Sequence, residues 1–299
     1  MNISPHTALV FGSGQVAQEL SRVNIPGWKI VLTRHSSVDI CCLKAVRTGM
    51  ATRNYSVVIN AAAFTDVKES EKRPKKCLSV NRDGAANIAI IASERSVPML
   101  HLSTDYVFDG RKKDYYFEQD VANPKNVYGA SKLAGEQKIR EYWSKHIIVR
   151  TSWVFSSHGN NFLNTMASLF NKRRDVDVVG DQIGCPTPAS SIAKMLLQLS
   201  QQIMDGKDSW GVYHYCGRPE ISWYDFAKRI FNGARKKDII VPSLRKISTA
   251  EYEKQVDRPL RVVMDCSAIK SNWGVEQPDW RPAVDEYIEL KLGEGDKDK

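Results

Sequence analysis

The sequence predicts an α/β protein: a doubly wound parallel sheet with a smaller lobe built mainly from its C-terminal part. Three observations predict it. Short apolar, β-branched runs alternate with helical stretches from residue 7 to about 155, the pattern of repeated βαβ units. A closely spaced glycine pair follows the first of those runs. No Gly-, Pro- or Ser-rich linker splits the 299 residues into halves, and there is no internal repeat.

Taken in order, Thr7-Ala8-Leu9-Val10-Phe11 reads as a buried strand, and Gly12-Ser13-Gly14-Gln15-Val16-Ala17 opens a helix to about Ser21. This is the G-x-G-x-x-G/A pattern of a Rossmann-like dinucleotide site. Gly12 and Gly14 let the backbone approach a pyrophosphate seated on the helix N-terminus. A second apolar strand, Lys29–Leu32, arrives where that motif needs one. A glycine turn without a ligand is the alternative and explains less of this context. The second strand ends in Thr33-Arg34-His35. NAD sites usually carry Asp or Glu here, whereas an Arg suits a 2′-phosphate. Arg34 therefore favours NADPH, with NADH still open. Val57–Asn60 is a third strand, and Ala61-Ala62-Ala63 after it let a cofactor lie against the main chain or serve tight helix–sheet packing. Pro98–Leu102 is a fourth, delivering Ser103-Thr104-Asp105. Ligands of open parallel sheets gather outside the carboxyl ends of strands, so Gly12, Ala63 and Thr104 converge on one edge.

Helix-breaking Pro124 precedes a helix that carries Tyr128 and Lys132 and runs through Leu133, Ala134 and Ile139. Four residues apart, the phenol and the ammonium share a face. A lysine beside a phenol stabilises the phenolate and draws its pKa down from about 10. Tyr128 is thus a candidate general acid for a carbonyl oxygen, with Thr104 able to hydrogen-bond the same oxygen. The spacing alone is weak evidence. It recurs at Tyr224/Lys228 and Tyr287/Lys291, which read as ordinary helix faces; only context singles out the first pair. His146–Val149 is a further strand, and Trp153 in Arg150-Thr151-Ser152-Trp153 is either the wall of a sugar or base site or a core-edge residue.

These segments resemble the dTDP-4-dehydrorhamnose reductases, within the extended short-chain dehydrogenase/reductases. The likeness rests on Asn60-Ala-Ala-Ala-Phe-Thr65, Ser103-Thr-Asp-Tyr-Val-Phe-Asp-Gly110 and Asn123-Pro-Lys-Asn-Val-Tyr-Gly-Ala-Ser-Lys-Leu-Ala-Gly-Glu136. Later segments extend it in order, among them Arg150-Thr-Ser-Trp-Val154, Asp181-Gln-Ile-Gly-Cys-Pro-Thr187 and Pro278-Asp-Trp280. The resemblance implies that Tyr128 donates the proton, that Lys132 is its partner, and that Thr104 tunes the tyrosine. It places Thr104, Asp105 and Trp153 on the nucleotide sugar. It places Gly14, Gln15, Val16, Asp39, Ile40, Ala63, Phe64 and Thr65 on the cofactor, beside Gly12, Arg34, Ala61 and Ala62. The implied reaction is NADPH-dependent reduction at C4 of a 4-keto-6-deoxy nucleotide sugar, for deoxysugar and polysaccharide biosynthesis. Two other readings belong to the same resemblance. One is an epimerase or dehydratase of the superfamily, which returns the hydride. The other is a non-catalytic subunit like the partner of methionine adenosyltransferase. The glycine loop departs from the family pattern: its first gap is one residue shorter, and Ala17 stands for the last glycine. Some relatives bind magnesium through glutamates; Glu19 matches one, but Ala189-Ser190-Ser191 supplies no acid at another, so no metal is expected.

The expected division gives residues 1–155 to the NADP(H)-binding domain, with segments about 173–220 and 260–268 returning to it. Residues 156–172, 221–259 and 269–299 form the substrate lobe. Val176–Val179, Val212–Cys216 and Val262–Asp265, all in the returning segments, are the expected strands of the later part, with helices at about 222–233 and 284–292 and a frayed tail from Gly293. The six cysteines show no C-x-x-C or zinc spacing. With neither a signal peptide nor a long apolar run, a reduced cytoplasm and no membrane partner are expected. The net charge of +9 gathers in clusters such as Lys72-Arg73-Pro74-Lys75-Lys76 and Lys172-Arg173-Arg174. These read as solvated loops or helix ends in a field that suits anionic ligands. No nucleic-acid motif or basic stripe with interleaved aromatics is present. A homodimer stays open.

Overall fold

The computed structural model describes residues 5–172, 175–252 and 256–295. In chain order its first half comprises β1 (His6–Phe11), α1 (Gln15–Arg22), β2 (Trp28–Thr33), α2 (Leu43–Ala51), β3 (Val57–Asn60), α3 (Val67–Lys72) and α4 (Pro74–Leu78). A π-helical turn (Ser79–Asp83), α5 (Gly84–Glu94), β4 (Met99–Thr104), a 3-10 turn (Asp105–Val107), α6 (Val127–Tyr142) and β5 (His146–Thr151) complete it. The second half has short strands β6 (Val154–Phe155), β7 (Val176–Val179), β8 (Ile183–Gly184) and β9 (Thr187–Pro188), with α7 (Phe162–Ala167) after β6. It ends with α8 (Ala189–Met204), β10 (Gly211–His214), β11 (Ile221–Ser222), α9 (Trp223–Arg235), β12 (Leu244–Ile247), α10 (Ser267–Trp273) and α11 (Arg281–Gly295).

Six strands form one parallel sheet in the order β10-β5-β4-β3-β1-β2. β3 and β5 are buried along their whole length, which is why they read as near-continuous apolar runs rather than alternating ones. One face is covered by α1, α8 and α10 through Leu20, Ile192, Leu196 and Ile269. The other is covered by α2, α5 and α6 through Val46, Ile88 and Ile139. A separate apolar cluster holds the lobe together, with Leu163, Val178, Phe226, Ile230 and Val284 at its centre. The doubly wound, Rossmann-like sheet is as the sequence predicts. Among the described residues no helix is long and apolar enough to cross a membrane.

Three later expectations are corrected. Val176–Val179 is a strand, but it pairs with β12 in a two-stranded sheet of the lobe, so only β10 returns to the main sheet. Val262–Asp265 is not a strand. Val262 N–H bonds Ile183 O, while Val263 O and Asp265 N–H bond Tyr116, so its partner changes before a ladder can form. Its apolar run reflects burial alone. The tail expected to fray from Gly293 is helical to Gly295; residues 296–299, like Arg173 and Arg174, lie outside the described residues.

Candidate active site

The chain runs from β1 outward to β2, then back past β1 to β3, so β1 and β3 stay paired to their carboxyl ends while α1 and α5, which follow them, cover opposite faces of the sheet. That switch point is where open parallel sheets hold ligands. A cleft of about 850 Å3 opens there. Every site residue singled out from the sequence lines it except Arg34.

The glycine loop forms its floor. Gly12 has φ 123°, and a Cβ on it would stand 2.9 Å from the backbone of Ala61 and Ala62. Glycine there serves the contact between the β1 and β3 ends. A Cβ on Gly14 would meet open space, and α1 begins with no side chain capping its first N–H groups. Those donors are left for an anion. Ala17 is fully buried, as the packing position requires. The loop therefore fits a dinucleotide pyrophosphate. Gln15 braces it from the far side, its Oε1 accepting from Ser156 Oγ at 3.0 Å and from Asn161 Nδ2 at 2.9 Å.

At the end of β2, Arg34 closes a turn, its carbonyl accepting from the N–H groups of Ser37 and Val38 at 2.9 Å each. The turn leaves Arg34 exposed and off the cleft wall, and brings His35, Val38, Asp39 and Ile40 onto it. The sequence argument from Arg34 to a 2′-phosphate thus loses its residue. Asp39 Oδ1 accepts from Cys41 N–H at 2.9 Å, which holds its carboxyl below the usual range.

Beyond β3, Asn81 fixes the Ala63–Thr65 loop. Its Oδ1 accepts from Phe64 N–H at 2.8 Å, and its Nδ2 donates to Phe64 O at 3.0 Å and Ser131 Oγ at 2.9 Å. Asn81 lies in the π-helical turn, an irregularity that often marks functional positions.

The catalytic candidates come from β4 and α6. Asn126 caps α6 by accepting from Gly129 N–H at 2.8 Å, an arrangement worth about 1 kcal/mol. Gly129 lets the helix press on the Tyr106 carbonyl, 2.1 Å from where a Cβ would be. Alternate residues of β4 then meet residues four apart on α6. His101 faces Lys132 (Nε2 to Nζ 3.3 Å), and Ser103 donates to Glu136 Oε1 at 2.5 Å. Arg150 binds the same carboxylate through Nε at 3.0 Å and a guanidinium nitrogen at 2.7 Å. This buried charge pair is hydrogen-bonded throughout on the Glu136 side and holds the β4–α6–β5 seam.

Tyr128 corrects the expected electrostatics. The loss of water around its phenol raises its pKa, and the Thr104 hydroxyl, a hydrogen-bond partner, acts against that rise. Lys132 does not offset it. Its ammonium donates to Leu102 O at 2.6 Å, and burial lowers its pKa to about 8. Asp105 is buried beside them, its carboxyl accepting from Thr104 Oγ1 at 3.1 Å; burial raises it to about 7. Trp153 has φ 44° and stacks flat on Trp223, with ring centroids 3.4 Å apart and planes 5° apart. Ser222 caps α9 and thereby sets Trp223 at its first position. Tyr224 and Lys228 sit on α9 and Tyr287 on α11, none of the three on the cleft wall.

Sequence reasoning missed His101, Asn81, Trp223 and Lys76, all but Asn81 and His101 being on the wall itself. One signal was available: the i, i+2 spacing of His101 and Ser103 matches the i, i+4 spacing of Lys132 and Glu136.

The chain is similar to known proteins over nearly its whole length. The family described as the RmlD substrate binding domain matches residues 6–292. The dTDP-4-dehydrorhamnose reductase of Aggregatibacter actinomycetemcomitans is 37% identical over 282 residues, covering 92% of this chain and 96% of that protein. The enzyme of the same name from Escherichia coli is 35% identical, covering 92% and 95%. Among solved structures, the dTDP-4-dehydrorhamnose reductase of Bacillus anthracis in complex with NADP superposes with a TM-score of 0.89 at 30% identity, covering 96% and 99%.

Proposed function

The chain belongs to the dTDP-4-dehydrorhamnose reductase family, and from that premise we propose that it uses NADPH to reduce the C4 ketone of dTDP-4-dehydrorhamnose or a close 4-keto-6-deoxy nucleotide sugar. The observation that carries this reading is the meeting of the Tyr128 phenol and the Thr104 hydroxyl in the cleft that also holds the glycine loop.

Bound NADPH supplies the hydride to C4. The chain's own residues manage the oxygen. Tyr128 enters the reaction protonated, since burial keeps its phenol in the acid form, and gives that proton to the forming alkoxide. Thr104 steadies the same oxygen through its hydroxyl. Lys132, charged below about pH 8, supplies the positive field that offsets the phenolate once the proton has left. Asp105 and the Trp153–Trp223 pair hold the sugar. The ketone thus gains a hydride and a proton and becomes a hydroxyl. In this reading residues 1–155, with β10 and α10, carry the cofactor, and the lobe of 156–172, 176–179, 221–252 and 280–295 supplies the sugar wall that Trp153 joins.

Purified protein mixed with dTDP-, UDP- or GDP-linked 4-keto-6-deoxy sugars should consume NADPH one-for-one with reduced sugar. Conversion without loss of the nicotinamide absorbance would instead mean an epimerase or dehydratase. No turnover of any keto sugar would favour a regulatory subunit.

A further inference from the structure

We propose that Lys76 receives the 2′-phosphate of the cofactor, and so gives this chain a preference for NADP(H) that Arg34 does not provide. The inference rests on the NADPH reading of the cleft.

The 2′ position of the adenosine ribose belongs at the end of β2. The turn after that strand brings His35 and Asp39 to the wall and leaves Arg34 outside it. Asp39 is an ionised carboxylate at neutral pH. Alone, it would favour ribose hydroxyls and repel a phosphate, so a preference for NADP(H) needs a cation from elsewhere. Lys76 is that cation. It arrives on α4, after β3, and lines the same wall as Asp39. Its charge is felt at both Asp39, where it adds to the Cys41 N–H bond in favouring the carboxylate, and Cys41, where it opposes the burial that raises the thiol.

The basic run Lys72-Arg73-Pro74-Lys75-Lys76 is thus not uniform. Lys72 lies 3.6 Å from Glu69, an ordinary helix-surface pair. The Lys76 ammonium has no hydrogen-bond or ion-pair partner among the described residues, and of this run Lys76 alone lines the cleft. Its position is set by the protein. Pro74 starts α4, and the next residue, Cys77, is fully buried with Sγ 3.1 Å from Ser131 Oγ. The helix is therefore pinned against α6, with Lys76 on its outer side at the cleft. An uncommitted ammonium on a fixed helix, facing the ribose end of a nucleotide cleft, suits a phosphate as a point charge.

Calorimetric titration of the full chain with 2′,5′-ADP and 5′-AMP, and with NADP+ and NAD+, isolates the phosphate. Lys76→Ala should weaken 2′,5′-ADP and NADP+ about tenfold, as for loss of a charged hydrogen bond, and leave 5′-AMP and NAD+ within about twofold. Lys76→Arg should keep the preference, and Arg34→Ala should leave all four ligands unchanged. An unaltered ratio of 2′,5′-ADP to 5′-AMP affinity in Lys76→Ala, with wild-type protein binding NADP+, overturns this inference alone. Transfer of the loss to Arg34→Ala does the same. Wild-type protein that binds neither NADP+ nor NAD+ overturns the reductase reading as well.

Discussion

The two walls of the cleft are made by different means. The sheet wall is backbone: strand ends and the first turns after β1, β3 and β4, held by the parallel ladder and by the buried Ser103–Glu136–Arg150 group. The lobe wall is side chain: Trp223, set by the Ser222 cap of α9 and stacked on Trp153 across from the sheet. Chemistry needs atoms fixed within a fraction of an ångström, which a ladder supplies. Recognition of a sugar needs a flat apolar surface, which two indole rings supply. Changes to the sheet wall should therefore cost rate, and changes to the lobe wall should cost substrate affinity.

The largest effect tests the first half of that contrast. Tyr128→Phe removes the proton and keeps the ring, with its edge contact to Tyr106 at 5.5 Å. Turnover should fall by about 10²–10⁴-fold, the usual worth of a positioned general acid. The dissociation constant of NADP+, measured by fluorescence titration, should stay within about twofold, because binding rests on the glycine loop. A variant that turns over at the wild-type rate would remove Tyr128 from the mechanism.

Legibility in the sequence follows the same division. The sheet wall could be read because its signals are local. A strand, two glycines and a helix start lie within eleven residues of one another, and Tyr128 and Lys132 share one helix. The lobe wall could not. Trp153 and Trp223 are seventy residues apart, and nothing in either neighbourhood announces that the rings stack. The strand Val176–Val179 was visible as a β-branched run, but its partner at Leu244–Ile247 was not, since pairing is a tertiary choice. Arg34 failed for a related reason. Its position after β2 was right by rule, yet a turn of five residues rotates it off the wall. The expected effect of Lys132 on Tyr128 failed because helix spacing gives a shared face but not the direction of an ammonium. That ammonium is bound to Leu102 O.

The next effect tests the second half. Trp223→Ala should raise KM for the keto sugar about tenfold, the worth of an aromatic ring that both packs on the sugar and holds its stacking partner in place. kcat and NADP+ affinity should remain near wild type, and Trp223→Phe should recover most of the loss. Equal loss of NADP+ binding in the alanine variant would show that the walls are not independent, and the contrast would have to be withdrawn. Because Trp223 also packs against Phe162, with ring centroids 4.5 Å apart, the melting temperature should be recorded beside the kinetics.

The last effect, on stability rather than on turnover, concerns the seam where the walls meet. Asp105 comes from the sheet edge but shares a small enclosed space with Trp223 of the lobe, and with Trp153 and Ile183. Burial there raises its pKa from 3.8 to about 7. The native carboxyl therefore keeps its proton up to about pH 7, while the unfolded one releases it near 3.8. Between those values the native state binds more protons, so stability falls as pH rises through that window and levels off above it. Asn cannot ionise, and its amide oxygen can still accept from the Thr104 hydroxyl. In urea unfolding, Asp105→Asn should match wild type near pH 4 and exceed it by up to roughly 4 kcal/mol above pH 7, about three pH units' worth of proton affinity. If the two proteins differ by the same amount at every pH, Asp105 titrates as an exposed acid. The lobe would then stand away from the sheet edge in solution, and the sugar wall would form only when ligand closes it.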